Sequence, residues 1–191
     1  LTEMWRTWVL TAMVLEAAPE NKGNNAGLRG DVMLGQPGAP LTVTPENVQR
    51  AFARLQRILR DRQRWEEGKM FVIIPTALKE VLSMSPYARA DWMGDCVSCS
   101  MNIDGLLPKQ LWGFNVIEST YAPTAVDQTG DLAYYIIAGH REAFAFAADI
   151  IEGRLVEPSR TFGVEYQMLA VWGGKAIYDD ALAIGYWTFG E

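Results

Sequence analysis

The chain of 191 residues has one histidine, two cysteines and no lysine-rich tail, and each shortage removes a class of function. A catalytic triad or a histidine metal cluster needs several converging groups, and His140 is the only imidazole available. Cys96 and Cys99 are too few for a disulfide framework, which makes a reducing, intracellular origin the expectation. With 17 Lys and Arg against 23 Asp and Glu, the net charge of -6 argues against a dedicated binder of nucleic acid or anionic membranes. The longest apolar runs, "MFVII" and "AYYIIAG", fall far short of the ~20 residues that cross a bilayer. No phosphate-binding loop, dinucleotide fingerprint, nucleophile elbow or zincin motif occurs, and no repeat or low-complexity tract is present. The chain starts at Leu1, and "LTEMWRTWVLTAMVLEAAPEN" lacks the cationic start of a signal peptide, so the reading is that something upstream has been removed.

What is present is apolar and aromatic. Residues 3 to 18 carry Met4, Trp5, Trp8, Val9, Ala12, Met13 and Leu15 at helical spacing, ended by Pro19. Glycine and proline then punctuate a loop from Gly23 to Pro40, which contains the adhesion-like triplet Arg29-Gly30-Asp31, a match that any loop can carry by chance. "TPENVQRAFARLQRILRDRQRWEEG" is predicted as a helix, with Thr44 as cap, Pro45 in the first turn, Val48, Phe52, Leu55 and Leu59 as buried stripe, and Gly68 as stop. "KMFVIIP" reads as a buried strand, "TALKEVLSM" as a short helix, "LWGFNVIES" and "LAYYIIAG" as strands, and "APTAVDQTGD" as a polar loop. Residues 85 to 110 lack clean periodicity. A helix is predicted over 140 to 152, with Ala143, Phe144, Phe146, Ala147, Ile150 and Ile151 on one face and Gly153 as its stop. In the tail, Phe162, Val164, Tyr166 and Met168 alternate as in a strand, and Gly173-Gly174 marks a turn or bulge. The mixed order of elements gives the class α+β, a central sheet covered by helices.

The candidate chemistry is thin. At a helix start an imidazolium would be disfavoured by the dipole, so His140 reads as a neutral ring bonded to nearby backbone. "DCVSCS" has the C-x-x-C spacing of redox dithiols and zinc half-sites, without a second ligand pair or a thioredoxin-like unit around it. Asp179 and Asp180 are adjacent, whereas a hard cation gathers six or more oxygens, so no metal and no cofactor is assigned.

The succession of elements carries more. A helix and a Gly-rich passage are followed by "TPENVQRAFARLQRIL", "FVIIP", "LWGFNVIES", "AYYIIAGHREAFAFAADI" and "RTFGVEYQMLAVWGGKAIYDDALAI". This order, with its strand ending in proline after a helix and its G-x-x-V strand, resembles the major capsid proteins of tailed bacteriophages. The resemblance covers nearly the whole chain and rests on ordered weak motifs. It implies a phage major-capsid-like fold, with an axial domain over residues 41–155 and 180–191 and a peripheral domain over 1–40 and 156–179. Residues 1 to 18 would be the end of the spine helix, and the arm and extended loop that precede it in the family are absent here, so the family's covalent crosslinking is not carried over. The implied function is structural and non-enzymatic: hexamers and pentamers of this subunit close an icosahedral shell in the host cytoplasm, and the virion packages double-stranded DNA. The implied partners are the subunit itself, scaffolding, portal or decoration proteins, and non-specific contact with the packaged DNA. A cellular nanocompartment shell shares the architecture. A cytosolic α+β enzyme using His140 or the Cys96/Cys99 pair is the alternative from another class.

Two features of composition fit a shell subunit. Trp65, Trp92, Trp112 and Trp187 are more aromatic bulk than a catalytic site explains, and tryptophan and arginine are enriched where subunits meet, although each ring taken singly reads as core. Six arginines fall between residues 50 and 64 with Asp61 as the one acid among them. They read either as a solvated face with Glu66 and Glu67 as counter-ions or as a contact surface for a neighbour's acidic groups. On the second reading Arg54, Arg57 and Arg64, spaced to share one side of the helix, are the candidate subunit-interface residues. For the cysteines the outcome is checkable by elemental analysis: two ligands do not close a zinc site, so the purified protein should carry free thiols, and one zinc per chain would contradict this.

Overall fold

The computed structural model describes residues 2–85, 110–128, 130–157 and 162–190. Trp92, Cys96 and Cys99 lie outside them. In chain order the elements are α1 (Thr2–Glu16), β1 (Leu41–Val43), α2 (Val48–Asp61), β2 (Met70–Ile74), α3 (Thr76–Met84), β3 (Gln110–Leu111) and β4 (Phe114–Glu118). They continue with β5 (Thr124–Val126), β6 (Leu132–His140), β7 (Phe144–Val156), β8 (Glu165–Ala176) and β9 (Leu182–Phe189). Seven strands form one mixed sheet in the order β1-β9-β6-β2-β4-β3, with β5 also paired to β6; β7 and β8 form a separate two-stranded ribbon. The class is α+β.

The sheet is buried on both faces, which is why its central strands read as unbroken apolar runs. On one face Val72, Ile74, Ile136, Ala138 and Trp187 pack against Phe52, Leu55, Ile58 and Leu59 of α2 and Leu78 and Leu82 of α3. The opposite face turns Ile73, Ile137, Leu182 and Ile184 toward Leu10, Met13 and Val14 of α1. Neighbouring residues of one strand thus serve two cores, as a period of two requires. Phe52 is fully buried, 5.6 Å from the Trp187 ring and 4.8 Å from that of Trp112, and burial of each such side chain is worth roughly 1.5–3 kcal/mol.

Several boundaries differ from expectation. Thr44 to Asn47 form a turn rather than a first helical turn: the Thr44 carbonyl accepts from the Asn47 and Val48 amides, and the Asn47 side chain accepts from the Thr44 amide. The helix stops at Asp61 because Gln63 adopts φ +56° and the Arg64 amide reaches back to the Leu59 carbonyl, so a left-handed glutamine, not Gly68, ends it. Part of the polar loop "APTAVDQTGD" is β5, added to the edge of β6.

The largest correction is at 140 to 152, where no helix exists. His140 ends β6, residues 141 to 143 turn, and Phe144 begins the long strand β7. The Phe-Ala-Phe-Ala start of that strand alternates with period two, a signal that alanine's helix propensity and the apolar spacing at 143, 147, 150 and 151 masked. Gly153 lies inside β7, beneath the Tyr166 ring, and Gly173-Gly174 lies inside β8 rather than at a turn.

Gly35 shows how closely the sheet and the Gly-rich loop fit. At φ +88° a Cβ there would sit 2.0 Å from the Tyr186 carbonyl oxygen and 2.7 Å from the Leu41 amide nitrogen, both backbone atoms that cannot step aside. Gly68 has a similar φ of +80° but open space around it. Urea denaturation should therefore separate the two: Gly35→Ala is expected to lose upwards of ~3 kcal/mol, and Gly68→Ala only the left-handed strain of about 1–2 kcal/mol. Equal costs would mean the loop does not lie on β9 as described.

Candidate functional site

His140 is buried at the end of β6, opposite Met70. Its Nδ1 accepts the Glu142 backbone N–H at 3.3 Å, which leaves the proton of the neutral ring on Nε2, 3.3 Å from Glu66 Oε2. Lys69 Nζ lies 2.9 Å from the same carboxylate and 3.9 Å from that of Glu142. The hydrogen bond from Lys69, and after it the one from His140, holds the Glu66 carboxyl below the usual carboxylate range; Glu66 in turn raises Lys69. The expected bond from backbone to ring is present, although the ring stands at a strand end. The ring's two nitrogens are both committed, so His140 acts here as a fastening of the turn. Among the described residues no group of three His, Cys, Asp or Glu side chains is placed to hold a metal.

Five of the six arginines of α2 and its C-terminal turn are engaged within the chain. Arg54 donates to the Met33 carbonyl at 3.0 Å, and burial, followed by the charge of Arg50, lowers its pKa. Arg57 bonds Asp31 at 2.7 Å and lies 3.6 Å from Asp61. Arg62 pairs with Glu20 and bonds the side chain of Asn21, whose amide in turn donates to the Asp180 and Leu182 carbonyls. Arg64 bonds Asp180 at 2.9 Å and stacks 4.7 Å from the Tyr178 ring centroid, and Arg60 stacks 4.9 Å from that of Trp65. Arg54 and Arg57 share a side of α2, whereas Arg64 lies beyond the helix end. Both sequence readings left most of this out: besides Asp61 in the helix itself, the acidic partners are Glu20 and Asp31 ahead of β1 and Asp180 in the β8–β9 connection, rather than Glu66 and Glu67. The Asp31 carboxylate of the adhesion-like triplet is one of them, and Asp180 of the candidate cation pair is another. Arg50 has no acidic partner among the described residues.

Among the described residues the ribbon carries the largest group of exposed apolar side chains. Its two strands, about 40 Å long at ~3.3 Å per residue, pair from Phe144↔Ala176 to Val156↔Glu165, and their outer edges are unpaired among the described residues. On one face stand Phe144, Phe146, Ala148, Ile150, Gly153 and Leu155, opposite Ala176, Gly174, Trp172, Ala170, Met168 and Tyr166: no charge in twelve positions. The other face is mixed: Asp149, Glu152, Arg154, Glu165, Gln167 and Lys175 stand among Ala145, Ala147, Val156, Leu169, Val171 and Gly173. In β7 this sorting depends on the bulge at Ile151, where two residues oppose one and the alternation changes phase. Without it Glu152 and Arg154 would turn to the apolar face. The helix α1 covers only the inner part, with Trp5 against Phe146 and Trp172 at 6.4 and 6.1 Å, and Trp8 against Phe146 at 6.3 Å. Farther out Ile150, Leu155, Tyr166 and Met168 are 52, 71, 63 and 37% exposed.

No protein-family model and no curated protein matches the chain. Among solved structures, a protein of Mycobacterium phage Che8 superposes over 98% of this chain with a TM-score of 0.68 at 16% identity. A chain from the capsid of the cyanophage P-SCSP1u superposes over 99% with a TM-score of 0.54 at 9% identity. The fold is capsid-like. This chain spans 58% of the length of the first of these and 62% of the second. No helix among the described residues is long and apolar enough to cross a membrane.

The best-defined intrachain pair can be checked directly. The hydrogen bond from Arg57 is the main reason the Asp31 carboxyl titrates below its ordinary range, and a depressed carboxylate contributes stability that is lost as pH falls through its folded value. In Arg57→Met the Asp31 carboxyl, followed by NMR, should titrate at higher pH than in the parent. An unmoved titration would mean that the pair does not form in solution.

Proposed function

We propose that this chain is a structural subunit of a phage-type capsid, without enzymatic activity, that assembles with copies of itself into hexamers and pentamers of an icosahedral shell around double-stranded DNA. The observation that carries the reading is the capsid-like fold over the length of the chain. The seven-stranded sheet with α2 and α3 would be the axial domain, and α1 with the ribbon the peripheral one, so that the passage between them falls at the turn 141–143 rather than at residue 156. Such a subunit resides in the virion shell after assembly in the host cytoplasm, and scaffolding, portal or decoration proteins would meet it there.

The ribbon supplies a physical reason to assemble. Covering Ile150, Leu155, Tyr166 and Met168 would contribute on the order of 5–10 kcal/mol at about 25 cal/mol per Å². Bringing two proteins together costs an estimated 4–15 kcal/mol or more, so one such contact barely sustains a dimer. Closed rings, in which each copy makes the contact on two sides, stand on the favourable side of that balance. The arginine face of α2 is the second surface in this reading: Arg54, Arg57 and Arg64, half-exposed beside their intrachain partners, would meet acidic groups of the next copy within a capsomer. Because these three also tie the chain to itself, Arg50 is the position where charge reversal tests that contact cleanly.

Electron microscopy of the purified protein at high concentration should show rings or closed shells. The double variant Leu155→Glu/Tyr166→Glu should keep the parent's circular dichroism and thermal midpoint within a few degrees while forming neither. Arg50→Glu should slow assembly and weaken its salt dependence without unfolding the chain. A parent protein that stays monomeric under all assembly conditions would overturn the reading.

A further inference from the structure

The one histidine of the chain stands where the sheet hands over to the ribbon. Its strand β6 ends at His140, and the buried Ala143, whose carbonyl accepts both the Ile177 and the Tyr178 amides, joins the outgoing and returning strands three residues later. Between them the turn is held by the Ala143 amide to the His140 carbonyl, by the Arg141 amide to the Lys69 carbonyl, and by the Glu142 amide to His140 Nδ1. The last of these is the only one of the three whose acceptor can be removed by a proton. Histidine is also the side chain whose ordinary charge change falls between pH 5 and 8.

We infer that His140 is a proton-operated latch on the ribbon: protonation of Nδ1 takes the acceptor from the Glu142 amide and frees the turn that sets the ribbon's direction. The charged groups facing the ring define what replaces the lost bond. Glu66 lies across from Nε2, Lys69 bridges Glu66 and Glu142, and Arg141 neighbours Lys69. Since Lys69 and His140 keep the Glu66 carboxyl ionised to lower pH than usual, Glu66 is still an anion when the imidazole gains its proton. The ring then trades a bond to the turn for a full ion pair with the loop before β2. That trade keeps the core edge and the Ala143 bonds fastened while it loosens the turn at Glu142, beside the base of the ribbon.

Nitrogen-15 NMR of the whole protein between pH 8 and pH 5 tests it. At pH 8 the imidazole should show the Nε2–H tautomer. As the ring titrates, the protection factor of the Glu142 amide, corrected for the intrinsic pH dependence of exchange, should fall about tenfold, the effect of losing one hydrogen bond. The Ala143 amide should hold, and the residual dipolar couplings of β7 and β8 should change relative to those of β6 and β9. In His140→Phe the Glu142 amide should be unprotected at every pH. Protection of Glu142 that is unchanged through the ring's titration, or a neutral ring protonated on Nδ1, would overturn the inference.

Discussion

The pairing of β6 with β9 is the constraint on which the rest of the structure depends. These strands lie side by side at the centre of the sheet from Tyr134↔Trp187 to Gly139↔Leu182, and they are also the strands that enter and leave the ribbon. Their register therefore fixes where the ribbon departs and which way its faces point. Close approach enforces that register: a Cβ on Gly139 would meet the Ala181 carbonyl oxygen at 2.7 Å. Both strands are apolar on both sides because α2 and α3 cover one face and α1 the other, so a slip of one residue would exchange two complete cores.

From that pair outward, the arginines of α2 act as internal fasteners. The Gly-rich segment between α1 and β1 buries Ala26, Val32 and Leu34 in the core under α2 and is held in addition through Arg54 on the Met33 carbonyl, Arg57 on Asp31 and Arg62 on Glu20 and Asn21. Lys22 closes the other end, its ammonium placed 3.4 and 3.3 Å from the Val14 and Leu15 carbonyls at the C-terminus of α1, where a cation suits the helix dipole. Glycine supplies the turns of this segment, and buried apolar side chains together with charge supply its attachment. An excess of acid over base in the whole chain coexists with a helix rich in arginine because the acids that answer it lie on other elements.

The legible parts of the sequence were those where one physical signal dominated. The amphipathic stripe of α2, the buried runs of β2 and β6 and the helix 2–16 follow from apolar spacing, and the order of elements pointed to the capsid-like fold. The ribbon was misread at its first strand because it violates the premise of periodicity analysis, that one face is buried throughout. Its alternation starts as Phe144, Phe146, Ala148, Ile150, then jumps phase at the bulge to Gly153 and Leu155, so neither a period of two nor one of 3.6 runs its full length. The arginine partners were invisible for a different reason. Arg57 and Asp31 are 26 residues apart and Arg64 and Asp180 are 116 apart, and no local pattern encodes a contact that only the folded sheet creates.

A two-stranded ribbon is marginal by itself in water, and this one persists only as far as other groups support it. At its base Trp5 and Trp8 press on Phe146 and Trp172, the Phe144 ring lies over Gly174, and the Ala176 amide bonds the Glu16 carboxylate. Beyond Ala170 the apolar face has no cover from α1, while the polar face keeps an Arg154 to Gln167 bond and its charges in water. Lysine or glutamate at exposed strand positions prevents association, and this outer face carries neither. The bulge makes the point sharper: it is a local irregularity whose effect is to hold Glu152 and Arg154 away from the apolar side. The ribbon thus presents an uncharged outer face, and the sheet, through β6 and β9, sets the direction in which it leaves.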